Sequence, residues 1–345
     1  MEKYIKYNEL LDRPEYQFIK DKGLDKRLLY LVLGGSISYG TNLPTSDTDI
    51  RGIMVNVPNE IIGMTSDSEQ FEDKATDTVI YTMQKIFRLF CECNPNTLEM
   101  LGVKPEHIIH MSRYGKRIRD ISYSFLSKRA VNTYGGFASQ QLSRLQHALL
   151  SNGSAEDKRL AMLQNALRHS MDCFKNEHLK YDMEFEFSET YNEIIGEKEL
   201  VMSMSVKDFP VRHVKQSLAM ITNIYNDYTK VHKEFSKKKI EGRLAKHMMH
   251  TCRLLTSGAE LASTCKINTY RDGEEHDLLM KIRNGEYLTP DGKNVVPEFW
   301  DIVDDLQKKF DYAADNNILP DVYDKEVVEG TLMEIQLDYL NGLQT

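Results

Sequence analysis

Two short segments near the start of this 345-residue chain have residue types and a spacing that suit a chemistry: Gly34-Gly35-Ser36 and Ser46-Asp47-Thr48-Asp49. Small residues followed by a hydroxyl let the backbone wrap closely around a phosphate. Two aspartates at i and i+2 on a strand point to one face. They would repel each other, raising one pKa, unless a divalent cation accepted both. A phosphate cradle facing a pair of hard-metal ligands supplies the parts that phosphoryl transfer needs.

The elements that must position these residues are legible around them. Residues 26–34 and 48–57 read as strands rich in Leu, Val and Ile. Between them we expect one helical turn starting near Ser36, with Ser36 as a cap, and then a loop through Pro44. Asp77 to Tyr81 reads as a third strand. Met83, Ile86, Phe87, Leu89 and Phe90 follow at helical spacing, Asn94-Pro95-Asn96 stops that helix, and Thr97 caps the next. Further along, amphipathic helical patterns cover 123–150, 157–181, 205–236, 240–264, 277–284, 297–313 and 324–343, while the acidic stretch 181–200 reads as a loop or a partner surface. The expected class is α+β, with a small mixed-sheet catalytic domain over 1–115 and a larger helical domain over 116–345.

Gly35-Ser36, then Gly40, then Ser46-Asp47-x-Asp49 resembles, without gaps, the signature of the DNA polymerase beta superfamily of nucleotidyltransferases. Two further stretches resemble the branch of predicted nucleotidyltransferases associated with RNA repair. One is Asn94-Pro95-Asn96-Thr97-Leu98-Glu99. The other runs from Lys246 through His250 and Arg253 to Ile282-Arg283-Asn284-Gly285-Glu286.

The resemblance implies a palm-like catalytic domain closed by helices. It also implies transfer of a nucleoside monophosphate from a nucleoside triphosphate to a hydroxyl, with release of pyrophosphate. Asp47 and Asp49 would hold magnesium (two ions, with manganese an alternative), and Gly34, Gly35, Ser36 and Gly40 would form the phosphate turn. A third carboxylate is required on a neighbouring strand. Asp77 is the choice, with Glu72 and Asp73 as rivals and a helix cap as the bland reading. Lys246, His250 and Arg253 lie at i, i+4 and i+7, one cationic stripe on a helix that would reach the triphosphate or an RNA phosphate, unless it is a solvated face. Asn94, Pro95 and Glu99 match the branch without an evident chemical role. The branch points to an RNA end, a tRNA among them, as acceptor. A protein side chain, as in AMP-transferring antitoxin relatives, is the alternative, and a small molecule comes third. A silent nucleotide-binding module and a nucleotide hydrolase are the readings of other classes.

Composition narrows the setting. A net charge of -8 argues against a general nucleic-acid coat protein, so RNA would be met by local patches. Two basic segments are candidates: Lys233, Lys237, Lys238, Lys239 and Arg243, and Arg113, Lys116, Arg117 and Arg119, with Tyr123, Phe125 and Tyr134 nearby for stacking or, by default, for the core. The five cysteines contain no CxxC pair and read as free thiols. Without a membrane span or signal-peptide pattern, the expectation is a cytoplasmic protein with no membrane partner.

Overall fold

The computed structural model describes residues 6–63, 69–150, 183–192, 197–207, 211, 222 and 243–342. Five strands, β1 Leu28–Leu33, β2 Ile50–Met54, β3 Gln70–Asp73, β4 Thr78–Thr82 and β5 Ile108–Met111, form one mixed sheet in the order β3-β4-β2-β1-β5. β1 runs antiparallel to β2 and β5, β4 runs antiparallel to β3, and β2 and β4 are parallel. The sequence reading thus located β1, β2 and β4 but not the short β3 and β5. β3 is too exposed to show a hydrophobic signal.

All six residues of β1 are buried because both faces of the sheet are covered. On one face Leu31, Leu33, Ile50, Met54 and Ile80 pack with Leu10, Leu11 and Ile19 of two short helices, α1 Tyr7–Leu11 and α2 Phe18–Asp21. On the other face Tyr30, Val32 and Ile53 join the larger core. The helix α3 Gly35–Tyr39 follows β1 directly, and α4 Pro58–Ile62 follows β2. α5 Met83–Cys91 buries Met83, Ile86, Phe87 and Phe90, the expected helical stripe. Cys93, at φ +51, ends it. The cap of the next helix, α6 Pro95–Leu98, is Asn94 rather than Thr97: its side chain accepts the Asn96 amide at 3.1 Å, and Pro95 occupies the first helical position, where no amide is needed.

Helix α7 Arg113–Asp120 lies against β1 through Gly115. Ser112 caps it, accepting the Gly115 amide at 3.1 Å and donating its hydroxyl to the Leu29 carbonyl at 2.9 Å. A Cβ on Gly115 would collide with the Leu29 carbonyl and crowd Tyr30, and neither neighbour can yield. Gly115→Ala is therefore expected to destabilise the protein by about 1–3 kcal/mol, read as a lower urea midpoint with an unchanged slope.

The remaining helices are α8 Arg129–Leu150, α9 Arg243–Thr264, α10 Gly273–Arg283, α11 Pro297–Asp315 and α12 Lys325–Gly342. Phe125, Tyr134, Leu254, Phe310 and Ile335 share one core with Phe87 and Phe90 of α5. For that reason compactness does not divide the chain at the expected 115/116 boundary. One unit comprises Met1–Leu142, Ala245–Leu288 and Val295–Thr345, and a second comprises Ser143–Leu244 and Thr289–Asn294. Within the second unit, β6 Met183–Asn192 and β7 Glu197–Val206 form an antiparallel pair where a loop was expected. Its register pairs Phe185 with Met204 and Phe187 with Met202, and Glu184 with Ser205 and Glu186 with Ser203, an alternation that the acidic composition had masked. The helices expected over 157–181 and most of 205–236 lie outside the described residues. Among the described residues no helix is long and apolar enough to cross a membrane.

Candidate active site

The glycine turn sits at the end of β1. Gly34 is the residue before α3 and Gly35 its first residue, so Ser36 is the second helical residue and not the cap. The Gly34 amide donates to the Asp49 carbonyl at 2.8 Å, which ties the turn to the start of β2. Gly35 has φ +57, and a Cβ there would overlap the Asp49 carboxylate. Glycine is demanded twice over, by the backbone conformation and by the acid lying against it. Gly35→Ala is expected to leave the fold intact, because the carboxylate can rotate away. It should weaken divalent-cation binding at Asp49 at least tenfold, as measured by manganese titration.

Parallel pairing of β2 with β4 places Ile50 beside Thr78, and the Ile50 amide donates to the Asp77 carbonyl at 3.2 Å. Asp49 and Asp77 are thereby neighbours at one end of the sheet. Burial first, then the hydrogen bond and charge of Asp77, push the Asp49 carboxyl up to about 7, against the pull of Arg51 and Lys246. Asp77 is held below its ordinary value, chiefly by the hydrogen bond it accepts from Asp49. The opposite directions follow from proximity, since two close carboxyls resist ionising together. Asp77 adopts φ +46, a conformation that aspartate tolerates better than most residues. Its rivals lie elsewhere. Asp73 accepts the Thr76 amide and hydroxyl at 2.9 and 2.8 Å within the β3–β4 turn, and Glu72 projects from β3 opposite Val79.

Asp47 departs from the expectation. β2 begins only at Ile50, so residues 46–49 are irregular and strand alternation does not align Asp47 with Asp49. Asp47 is exposed, and among the described residues no three His, Cys, Asp or Glu side chains converge on a metal position. Arg51, a residue that the motif reading passed over, does lie beside Asp49. Its Nη2 stands 3.1 Å from Asp77 Oδ1 and 3.7 Å from Asp49 Oδ1, and its Nη1 donates to the main-chain carbonyls of Asp77 and Ile50. Gly34, Gly35, Ser38, Arg51, Tyr81 and Asn96 line part of a cavity of about 350 Å³ beside the pair. Ser38 and not Ser36 is the turn hydroxyl on that cavity, although Ser38 Oγ already donates to the Gly35 carbonyl at 2.8 Å.

The stripe on α9 divides into three environments. Lys246 is exposed, and its positive charge acts on both Asp49 and Asp77. Burial, and then the charges of Arg253 and Lys246, push His250 well below the ordinary histidine value, so it is neutral and edge-on to Tyr39. Arg253 is buried and ion-paired with the buried Glu99. Its guanidinium also covers the Tyr39 ring, and the Tyr39 hydroxyl donates to Glu99 Oε2 at 2.7 Å. A committed, buried guanidinium is not a triphosphate ligand, so the role expected for Arg253 is corrected to a structural one. Glu99 gains the role that the sequence lacked, since it anchors α3 and α9 to the Asn94–Glu99 motif.

Gly40 is also structural. At φ +77 it ends α3, Tyr270 packs where its Cβ would be, and His276 Nε2 donates to its carbonyl at 2.9 Å. The basic segment on α7 is largely spent on acids and carbonyls. Arg113 pairs with Asp338 at 3.7 Å, Lys116 with Asp120 at 2.7 Å and Arg117 with Glu334 at 3.5 Å, while Arg119 donates to the Leu101 carbonyl at 3.1 Å. Phe125 and Tyr134 are core residues, and Tyr123 is exposed. Lys233, Lys237, Lys238 and Lys239 lie outside the described residues.

Residues 11–175 match the RNA repair pathway DNA polymerase beta family, which supports a polymerase beta superfamily nucleotidyltransferase related to RNA repair. The stretch from Lys246 to Glu286 lies beyond the matched residues. Neither a curated protein nor a solved structure matches the chain.

Proposed function

We propose that the chain transfers a nucleoside monophosphate from a nucleoside triphosphate to a hydroxyl at an RNA end, with tRNA as the first candidate, and releases pyrophosphate. The observation that carries this reading is the pair of acids, Asp49 and Asp77, brought together by β2–β4 pairing beside the Gly34-Gly35 turn, with Arg51 in reach of both. Two neighbouring carboxylates suit a hard divalent cation, because magnesium is commonly held by one or two carboxylates together with waters and substrate phosphates. Asp49 and Asp77 would hold it, with manganese as a substitute. When bound, the ion acidifies the acceptor hydroxyl and neutralises triphosphate charge.

The chain's own residues do the rest. The bare backbone at Gly34 and Gly35 lets phosphate oxygens approach, and Lys246 adds positive charge at the acids. Asp77, the more exposed carboxylate of the pair, takes the proton of the acceptor hydroxyl. The acceptor oxygen bonds the α-phosphorus, the α–β phosphoanhydride bond breaks, and pyrophosphate leaves with the bonding electrons. The family match favours RNA over a protein or small-molecule acceptor.

The test offers purified protein, magnesium and each α-labelled ribonucleoside triphosphate to total RNA and, separately, to cell protein extract. Asp49→Asn and Asp77→Asn serve as controls. Label in RNA that both controls lose supports the reading. Label in protein moves the acceptor to a side chain. Label in neither, with cation-dependent nucleotide binding intact, removes the RNA end and leaves a small-molecule acceptor or a silent module.

A further inference from the structure

We infer that Arg51 takes the place of the divalent cation at the two acids, and that it must leave them before the cation binds and then swing to the triphosphate. This rests on reading Asp49 and Asp77 as the cation ligands. Three observations support it. The Arg51 guanidinium lies within ion-pair distance of both carboxylates, 3.1 Å from one and 3.7 Å from the other. A second cation at the same oxygens would meet it head on, and two like charges at that range exclude each other. Its stem crosses the glycine turn, since a Cβ on Gly34 would lie 3.1 Å from Arg51 Cγ, and its side chain lines the cavity that the turn borders. A side-chain rotation that also gives up the hydrogen bonds to the Ile50 and Asp77 carbonyls would carry the guanidinium from the acids to phosphates cradled at Gly34 and Gly35. A planar, permanently charged fork suits both partners, because carboxylate and phosphate present the same paired oxygens.

The arrangement lowers apparent cation affinity by the fraction of molecules in which Arg51 occupies the acids. It also links the two ligands. Triphosphate that captures the guanidinium frees the acids, so nucleotide and cation each tighten the other's binding.

Manganese titration by calorimetry at pH 7.5, without nucleotide, separates the outcomes for wild type, Arg51→Met, Arg51→Lys and Asp49→Asn. Arg51→Met is expected to bind manganese at least tenfold tighter than wild type, with Arg51→Lys between them. A non-hydrolysable triphosphate should tighten manganese binding in wild type but not in Arg51→Met. Circular dichroism confirms that each variant is folded, and Arg51→Lys carries the comparison if the methionine variant is not. Equal or weaker manganese affinity in the Arg51 variants, alongside normal wild-type binding that Asp49→Asn abolishes, overturns the role of Arg51 and leaves the proposed function standing. Absence of binding in wild type and in both Arg51 variants, with and without the triphosphate, overturns the cation site itself, and the role of Arg51 with it.

Discussion

Replacing Asp49 by asparagine is expected to stop nucleotidyl transfer and, at pH 8, to make the cation-free protein harder to unfold. The loss of transfer, about a thousandfold or more, follows from removing a charged ligand where charge must be neutralised in the transition state. The gain in stability follows from proton linkage. The folded value of Asp49, about 7, lies above the ordinary 3.8 of a free carboxyl, so the folded protein retains a proton that the unfolded chain releases. Stability from this group is present at low pH, drains as pH rises through the window between those values, and is gone at pH 8. An asparagine amide donates to Asp77 at every pH, as the protonated carboxyl does only in acid. After allowance for solvent screening at this partly buried pair, the gain at pH 8 is about 1–2 kcal/mol, and at pH 4 it is near zero. Thermal unfolding in chelator at the two pH values checks it. A gain that does not depend on pH would show that the two carboxyls do not share a proton.

The second large effect is expected at Glu99 and Arg253. Both side chains are more than nine-tenths buried, and each leaves an uncompensated charge in the core if the other is removed. Glu99→Leu or Arg253→Met alone should cost about 3–5 kcal/mol of stability. The double variant should recover much of that, because neither charge remains and the apolar side chains occupy similar volume. Denaturant unfolding of the four proteins closes the cycle. If Arg253 instead served the triphosphate, Arg253→Met would fold with nearly full stability and lose only nucleotide affinity. The position of Tyr39 between the two charges adds a functional expectation. It belongs to α3, so loosening the pair should raise KM for the nucleotide through the phosphate turn, without any contact between Glu99 and substrate.

Local sequence determined the local parts of this protein. Six consecutive apolar residues made β1, and the Met83–Phe90 spacing made α5. Gly34-Gly35 made a tight turn, in which Gly35 takes the left-handed conformation that glycine favours. These features depend on neighbours within a turn or a strand, so composition and period reveal them. The resemblance also pointed to Asp49 and Asp77, but their adjacency came from parallel pairing of β2 with β4 across 23 intervening residues, which no local pattern encodes. The tertiary structure likewise left Asp47 exposed, ahead of the start of β2. It supplied Arg51, whose guanidinium reaches both acids. It also turned Arg253 from an expected ligand into the partner of Glu99, 154 residues away. A charge on a helix face reads the same in sequence whether it meets water, substrate or an opposite charge. Only the packing of that face decides which, because burial makes an unpaired charge too costly to keep and so selects the partner.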